Sequence, residues 1–392
     1  MSSQMQLLCT HCGNKEEWPV SHWPCACGGP RELIGLPGFV PHQINPQEPG
    51  LWRYRAMFPL QLPRAAITLG EGFTPLISGS WDGLSVHWKL EYLNPTGSFK
   101  DRGTVLVVND LVARGVDQVV EDSSGNAGAS LAAYAARAGI RARVFVPAQA
   151  SVFKRAQIAV YGAEVVLVPG PRSEATRAAE ATAANGVVYA SHVWHPLTLI
   201  GMATIAWEIW EQLGRRAPDW LIAPVGQGTL LLGVWRGFQT LAEARLIDRL
   251  PRLVAAQAER CAPLALAWAA GREEIRAVPP QPTVAEGIAI VRPVRSHALL
   301  QTLRESNGLA LTATEGEIVQ AQTRLAHAGL YVEPTSAVAA AVLTQIRSHI
   351  APDEATVVVL TGSGLKSQAP EELLHTQDVH SVSTSPINRI SR

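Results

Sequence analysis

Four short loops carry residues whose types and spacing could do chemistry. The first is Asn94-Pro95-Thr96-Gly97-Ser98-Phe99-Lys100-Asp101-Arg102-Gly103. Pro95 and Gly97 suit a turn, Ser98 is placed to cap the helix that follows, and Lys100 falls in its first turn. The positive end of a helix dipole disfavours an ammonium and favours a neutral amine, which makes Lys100 a Schiff-base candidate. An ordinary surface lysine is the alternative. The second loop is Ser123-Ser124-Gly125-Asn126-Ala127-Gly128, between a strand and an alanine-rich helix. Its hydroxyls, amide and free helical N–H groups suit a small anion such as a carboxylate, whereas a plain N-cap accounts for one serine only.

The third loop, Gly226-Gln227-Gly228-Thr229, again joins strand to helix. Its spaced glycines let backbone N–H groups approach a phosphate, and its pattern is neither a dinucleotide fingerprint nor a Walker loop. The fourth is Thr361-Gly362-Ser363-Gly364-Leu365-Lys366, where a hydroxyl at a strand end can meet a ring nitrogen without charging it. A buried lysine, a carboxylate nest, a phosphate nest and a ring-nitrogen partner together describe pyridoxal phosphate with an amino-acid substrate.

These loops need strand ends and helix starts to position them. From about residue 85 the chain alternates β-rich and alanine-rich runs. Strands are expected at 86–90, 118–122, 141–146, 164–168, 187–190, 221–225, 253–257 and 356–360. Helices are expected at 99–115, 126–138, 151–161, 172–185, 197–213, 229–244, 296–306, 314–328 and 335–348. That alternation argues for parallel sheets wrapped by helices, with ligands at strand C-terminal ends; so many strands call for two α/β lobes.

A separate group of side chains opens the chain. Cys9, Cys12, Cys25 and Cys27 form C-x2-C and C-x-C pairs, a pattern suited to a four-thiolate zinc site, with Gly13, Gly28 and Gly29 where the knuckles turn. The second pair is one residue shorter than usual. Two disulfides or unused thiols are the alternatives, and His11 and His22 are substitute ligands. Cys261 stands alone as a small hydrophobe. Lys plus Arg and Asp plus Glu each total 33 among 392 residues, so the neutral chain has no electrostatic footprint for nucleic acid or an anionic membrane. With no long apolar run and no basic-then-apolar leader, it is expected to be soluble and cytoplasmic.

The string Asn94–Gly103 resembles the cofactor-lysine motif of threonine synthases, and the likeness covers roughly residues 1–368. Gly50-Leu51-Trp52-Arg53-Tyr54-Arg55, Gly70-Glu71-Gly72-Phe73-Thr74-Pro75-Leu76, the Ser124-Gly125-Asn126 loop, the glycine loop and Thr361–Lys366 match in order. The resemblance implies a fold-type II pyridoxal-phosphate enzyme, like the tryptophan synthase beta chain, with two three-layer α/β/α domains. It implies a zinc-ribbon-like segment at 1–35, a large cofactor-binding domain at 60–104 and 203–368, and a small domain at 105–202; residues 369–392, rich in Ser, Thr, Asn and Gln, are expected to be a loose tail. Lys100 would carry the cofactor and move protons. Asn126 would bond the pyridoxal 3′-oxygen, the backbone of Gly226, Gln227, Gly228 and Thr229 would hold the phosphate, and Thr361 would face the ring nitrogen. Ser98, Ser123, Ser124, Gly125, Asn126 and Ala127 would bind the substrate. A homodimer is expected by the same analogy.

The reaction so implied converts O-phosphohomoserine and water to threonine and phosphate. One segment departs from the family. Where its pattern has Asn-Ser-x-Asn-Pro-x-Arg-x-x-Gly-Gln, this chain has His192, Val193, His195, Pro196, Thr198, Gly201 and Met202. Thr198 cannot replace an arginine's bidentate grip on phosphate. His192, His195, Lys154 and Arg155 are the substitutes on offer. The departure keeps a second reading open: a serine/threonine ammonia-lyase or β-replacement enzyme. Glu333, before Pro334, is either a carboxylate near the cofactor ring or a helix-end charge.

Overall fold

The computed structural model describes residues 5–20, 23–60, 66–279 and 281–367. The expected tail at 369–392 and His22 lie outside them. Strands β1 (Gln6–Cys9), β2 (Lys15–Glu17) and β3 (Arg31–Ile34) form an antiparallel sheet in the order β2-β1-β3. There follow β4 (Leu76–Trp81), β5 (Leu84–Lys89), α1 (Asp101–Ala113), β6 (Gln118–Glu121), α2 (Asn126–Ala138), β7 (Arg141–Pro147), α3 (Val152–Val160), β8 (Glu164–Val168), α4 (Arg172–Ala184) and β9 (Val188–Tyr189). The remainder comprises α5 (Leu197–Gln212), β10 (Trp220–Pro224), α6 (Thr229–Glu243), β11 (Arg252–Ala258), α7 (Pro263–Ala269), α8 (Ser296–Glu305), β12 (Leu309–Ala313), α9 (Glu315–His327), α10 (Pro334–Ile346) and β13 (Thr356–Val359).

Two further sheets result. The larger runs β12-β11-β10-β13-β5-β4, parallel except for β4, and the smaller runs β8-β7-β6-β9, all parallel. Parallel strands buried on both faces should read as apolar runs, and β10 and β13 are buried throughout. Helix α5 packs against α1 and α6 and is buried from Leu197 to Trp210, which explains its apolar residues on every face. It packs against α1 so closely that a Cβ on Gly201 would lie 2.1 Å from the Arg102 carbonyl oxygen, so only glycine fits there. Among the described residues no helix is long and apolar enough to cross a membrane.

A fully buried charge network fixes the start of α1. Arg102 meets Glu91 through Nε at 2.6 Å and Glu208 through Nη1 at 2.6 Å, while Lys89 donates to Glu208 at 2.7 Å. Two cations and two carboxylates thereby neutralise one another inside the core, each with several hydrogen bonds, the condition under which buried charge is tolerated. The network joins β5, α1 and α5 two residues beyond Lys100.

Two details differ from the sequence expectation. Lys100 is the N-cap residue of α1, and the Ser98 side chain does not cap it: its Oγ is buried without a hydrogen-bond partner among the described residues. The first turn is instead held by Asp101, which accepts from Thr96 N at 2.8 Å, Thr96 Oγ1 at 2.6 Å and Ser130 Oγ at 2.6 Å.

Candidate active site

The C-terminal ends of strands from both parallel sheets face one cavity of about 230 Å³. Lys100, Asn126 and Thr361 line it, as do the 123–127 loop and the 226–229 loop. Of the residues assigned to cofactor and substrate, Ser98 alone does not; it lies behind the cavity wall, bridged to Gly362. The loops reach this place because each follows a parallel strand and opens a helix. Gly228 adopts φ +83°, a left-handed turn that brings the first N–H groups of α6 toward the cavity. Thr361 follows β13, and its N–H donates to Ser336 Oγ at 2.5 Å.

Burial pulls the Lys100 amine down to about 8; the carboxylates of Glu121 and Glu333 resist this and Arg172 assists it. Glu333 precedes α10 and accepts from Asn126 Nδ2 at 3.0 Å, so the same residue sits at the helix end and aims its carboxylate into the cavity. Burial raises its pKa, with Lys366 and Asn126 opposing. Ala285–Ile288 reaches the site through Glu286, Gly287 and Ile288. Lys366 Nζ donates to Thr96 O at 2.8 Å, tying the fourth loop to the first.

The proposed substitutes in the departing segment separate. His192 and Lys154 line the cavity, while His195 and Arg155 do not. His195 is 0 % exposed, with its ring 4.1 Å from that of Trp23. Sequence reasoning missed Arg172, the first residue of α4, and Glu121, the last of β6. A charged residue closing an apolar strand was the available signal for Glu121; nothing in the helix pattern distinguishes Arg172. Lys154 forms an ion pair with Glu286, joining α3 to the opposite wall of the cavity.

The four N-terminal cysteines converge apart from this site. Their sulfurs all lie within 4.8 Å of one another, with Cys9–Cys27 at 3.5 Å and Cys12–Cys25 at 3.7 Å. A backbone hydrogen bond involving Cys27 is the largest influence holding the Cys25 thiol down at about 6. For Cys27 the Gly29 hydrogen bond pulls down, but the neighbouring thiols and burial outweigh it and lift it to about 12.

A lysine with a depressed pKa, an amide, a hydroxyl and a helix start around one cavity, at the ends of parallel strands, define a carbonyl-cofactor enzyme of the α/β class. Residues 67–362 match the family described as "Pyridoxal-phosphate dependent enzyme". The chain is 34% identical to threonine synthase of Methanocaldococcus jannaschii over 92% of this chain and 93% of that one. It is 35% identical to threonine synthase of Mycobacterium leprae over 86% and 93% respectively. Among solved structures, a threonine deaminase from T.th. superposes with a TM-score of 0.65 at 26% identity, over 76% of this chain and 94% of that one. The chain belongs to the pyridoxal-phosphate-dependent enzymes, in the group of the threonine synthases.

Proposed function

We propose that the protein is a threonine synthase, a lyase that converts O-phosphohomoserine and water to threonine and phosphate. The observation that carries this is the convergence of Lys100, Asn126, Thr361 and the 226–229 loop with the serine loop on one cavity, in a chain whose relatives bear that name. The residues fit the cofactor: the left-handed Gly228 opens the start of α6 to a phosphate, and the buried amine is held in reach of neutrality. Bound pyridoxal phosphate supplies an electron sink for carbanions at the substrate α- and β-carbons. Lys100 holds it and moves protons at those carbons. Asn126, steadied by Glu333, meets the 3′-oxygen. Thr361 offers the ring nitrogen a neutral hydroxyl, which suits elimination over transamination. Ser123, Ser124 and the amides of Gly125, Asn126 and Ala127 take the substrate carboxylate at the start of α2. Lys154 and Arg172 put positive charge where the substrate phosphate would extend, in place of the arginine that Thr198 replaces.

This reading divides the chain into lobes at 60–104 with 203–368 and at 105–202. It places a structural zinc on Cys9, Cys12, Cys25 and Cys27 in a ribbon over 1–35. Tetrahedral sulfurs about 2.3 Å from zinc lie about 3.8 Å apart, and the two close sulfur pairs match that edge. A homodimer and a cytoplasmic setting complete it, the latter in keeping with thiols rather than disulfides. A paired assay tests the function. Purified holoenzyme should release phosphate from O-phosphohomoserine and form threonine. Keto acid from serine or threonine, with no phosphate released, would replace this reading by the ammonia-lyase one, which the altered 192–202 segment favours.

A further inference from the structure

Besides the lysine, the cavity wall holds a titratable pair that the reading above leaves without work. Glu121 ends β6 and His192 stands in the turn between β9 and α5, 71 residues apart, with Glu121 Oε1 2.6 Å from His192 Nδ1. Both border a small void beside Lys100, together with Thr104 and Thr198, and His192 also lines the main cavity. Glu121 is 1 % exposed, and its Oε2 has no hydrogen-bond partner among the described residues.

That asymmetry bears on where the protons sit. An ionised carboxylate with one bare oxygen in such an enclosure is costly, whereas a carboxylic acid that gives its O–H to Nδ1 leaves only a carbonyl oxygen bare. Burial is the largest influence raising Glu121 and Asp122 adds to it, outweighing Arg172, a backbone hydrogen bond from His192 and Lys100, which pull it down; burial, then Lys100 and Arg172, hold His192 down. Enclosure and the bare oxygen favour a neutral acid bonded to a neutral imidazole. In that state Nδ1 accepts and the ring hydrogen is on Nε2.

We propose that Glu121 and His192 form a proton-delivering pair: His192 Nε2–H protonates the oxygen that leaves the substrate side chain, and the Glu121 proton follows onto Nδ1. The inference rests on the proposed function for the presence of a phosphate ester at the substrate γ-carbon. As the Cγ–O bond breaks, its electron pair stays on the phosphate oxygen, which takes the Nε2 proton. The pair is left as a carboxylate and an imidazole protonated on Nδ1. The water that later adds at Cβ gives up one proton, which restores the pair through the solvent in the cavity, so the full reaction consumes none.

The test separates departure of the leaving group from the later hydration. 2-Aminobut-3-enoate has already lost that group, and its hydration to threonine needs no acid at the γ-oxygen. In His192→Gln, phosphate release from O-phosphohomoserine should fall about 100-fold, the usual worth of a general acid, while hydration of 2-aminobut-3-enoate stays within about threefold of wild type. Glu121→Gln still donates an N–H to Nδ1 but carries no proton that can follow, so it should impair the same substrate selectively, by a smaller factor. Equal losses on both substrates in both variants, or no loss on either, overturn the proposal. An independent readout is the nitrogen-15 spectrum of labelled wild-type holoenzyme, which should show His192 protonated on Nε2; protonation on Nδ1 overturns it. Wild type that releases no phosphate overturns the functional reading, and the spectrum then still decides the pair.

Discussion

Glu208→Gln should remove a large part of the stability of this protein. Glu208 is fully buried on α5 and accepts from Arg102 Nη1 at 2.6 Å, Arg102 Nη2 at 2.7 Å, Lys89 Nζ at 2.7 Å and Phe73 N at 2.6 Å. A glutamine there keeps one acceptor, turns an N–H toward cations, and leaves Arg102 with the Glu91 carboxylate and Lys89 with only the neutral oxygens of Thr74 and Gln212. Two routes give the size. Breaking a buried pair from one side costs about 3–5 kcal/mol. Independently, Arg102 and then Lys89 outweigh burial and hold Glu208 at about 2 rather than 4.5, and at about 1.4 kcal/mol per pH unit that difference is about 3 kcal/mol. The sign follows from a depressed carboxyl: its contribution is present above pH 4.5 and is lost as the pH falls toward 2. Urea unfolding followed by circular dichroism should show the variant about 3 kcal/mol less stable at pH 7, from a total of about 5–15 kcal/mol. The gap should narrow between pH 4.5 and 2. A gap below about 1 kcal/mol at pH 7, or one that does not narrow on acidification, refutes the reasoning.

Purified protein should be yellow and Lys100→Ala colourless; a wild type that stays colourless with excess cofactor removes every cofactor assignment. Cofactor uptake by the apoenzyme should speed up as the pH rises and level off above about 8, because the neutral amine reacts and burial has brought Lys100 there from 10.5; levelling near 10.5 would mean an exposed amine. Metal analysis should find about one zinc per chain in wild type and less in Cys9→Ser, with the yellow colour kept in both. Glu333→Gln should weaken the hold on Asn126 and raise the cofactor dissociation constant, read by loss of colour on dilution; unchanged retention would leave Glu333 as a helix-end charge.

The elements around the loops were legible because their periodicity was strong. Helix 126–138 and strand 164–168 fall where the sequence places them. The missed strands lack that signal. β4 is an edge strand around Ser-Gly-Ser, exposed at half of its residues, and β12 is a half-buried Leu-Ala-Leu-Thr-Ala that reads as helix as readily as strand. Residues of the site that belong to a loop motif could be read in place, as Lys100, Asn126 and Thr361 were. Residues that depend on pairing across the fold could not. Glu121 and His192 become neighbours only because β6 and β9 pair in parallel, and His195, three residues on, turns into the wall behind. Ser98 looked like a cap from local spacing, but Asp101 had a better set of donors from Thr96 and Ser130.

The place of β13 in the larger sheet has a consequence for synthesis. β10 and β5 both pair with β13 and, among the described residues, with no other strand on that side, so the sheet stays in two halves until residues 356–359 have been made. Thr361 follows that strand after Leu360, and Glu333 precedes it by one helix. A chain growing from its N-terminus therefore carries Lys100 for most of its time on the ribosome without the far wall of its cavity. The half-sheets expose apolar strand edges during that interval, when a holding chaperone would matter most.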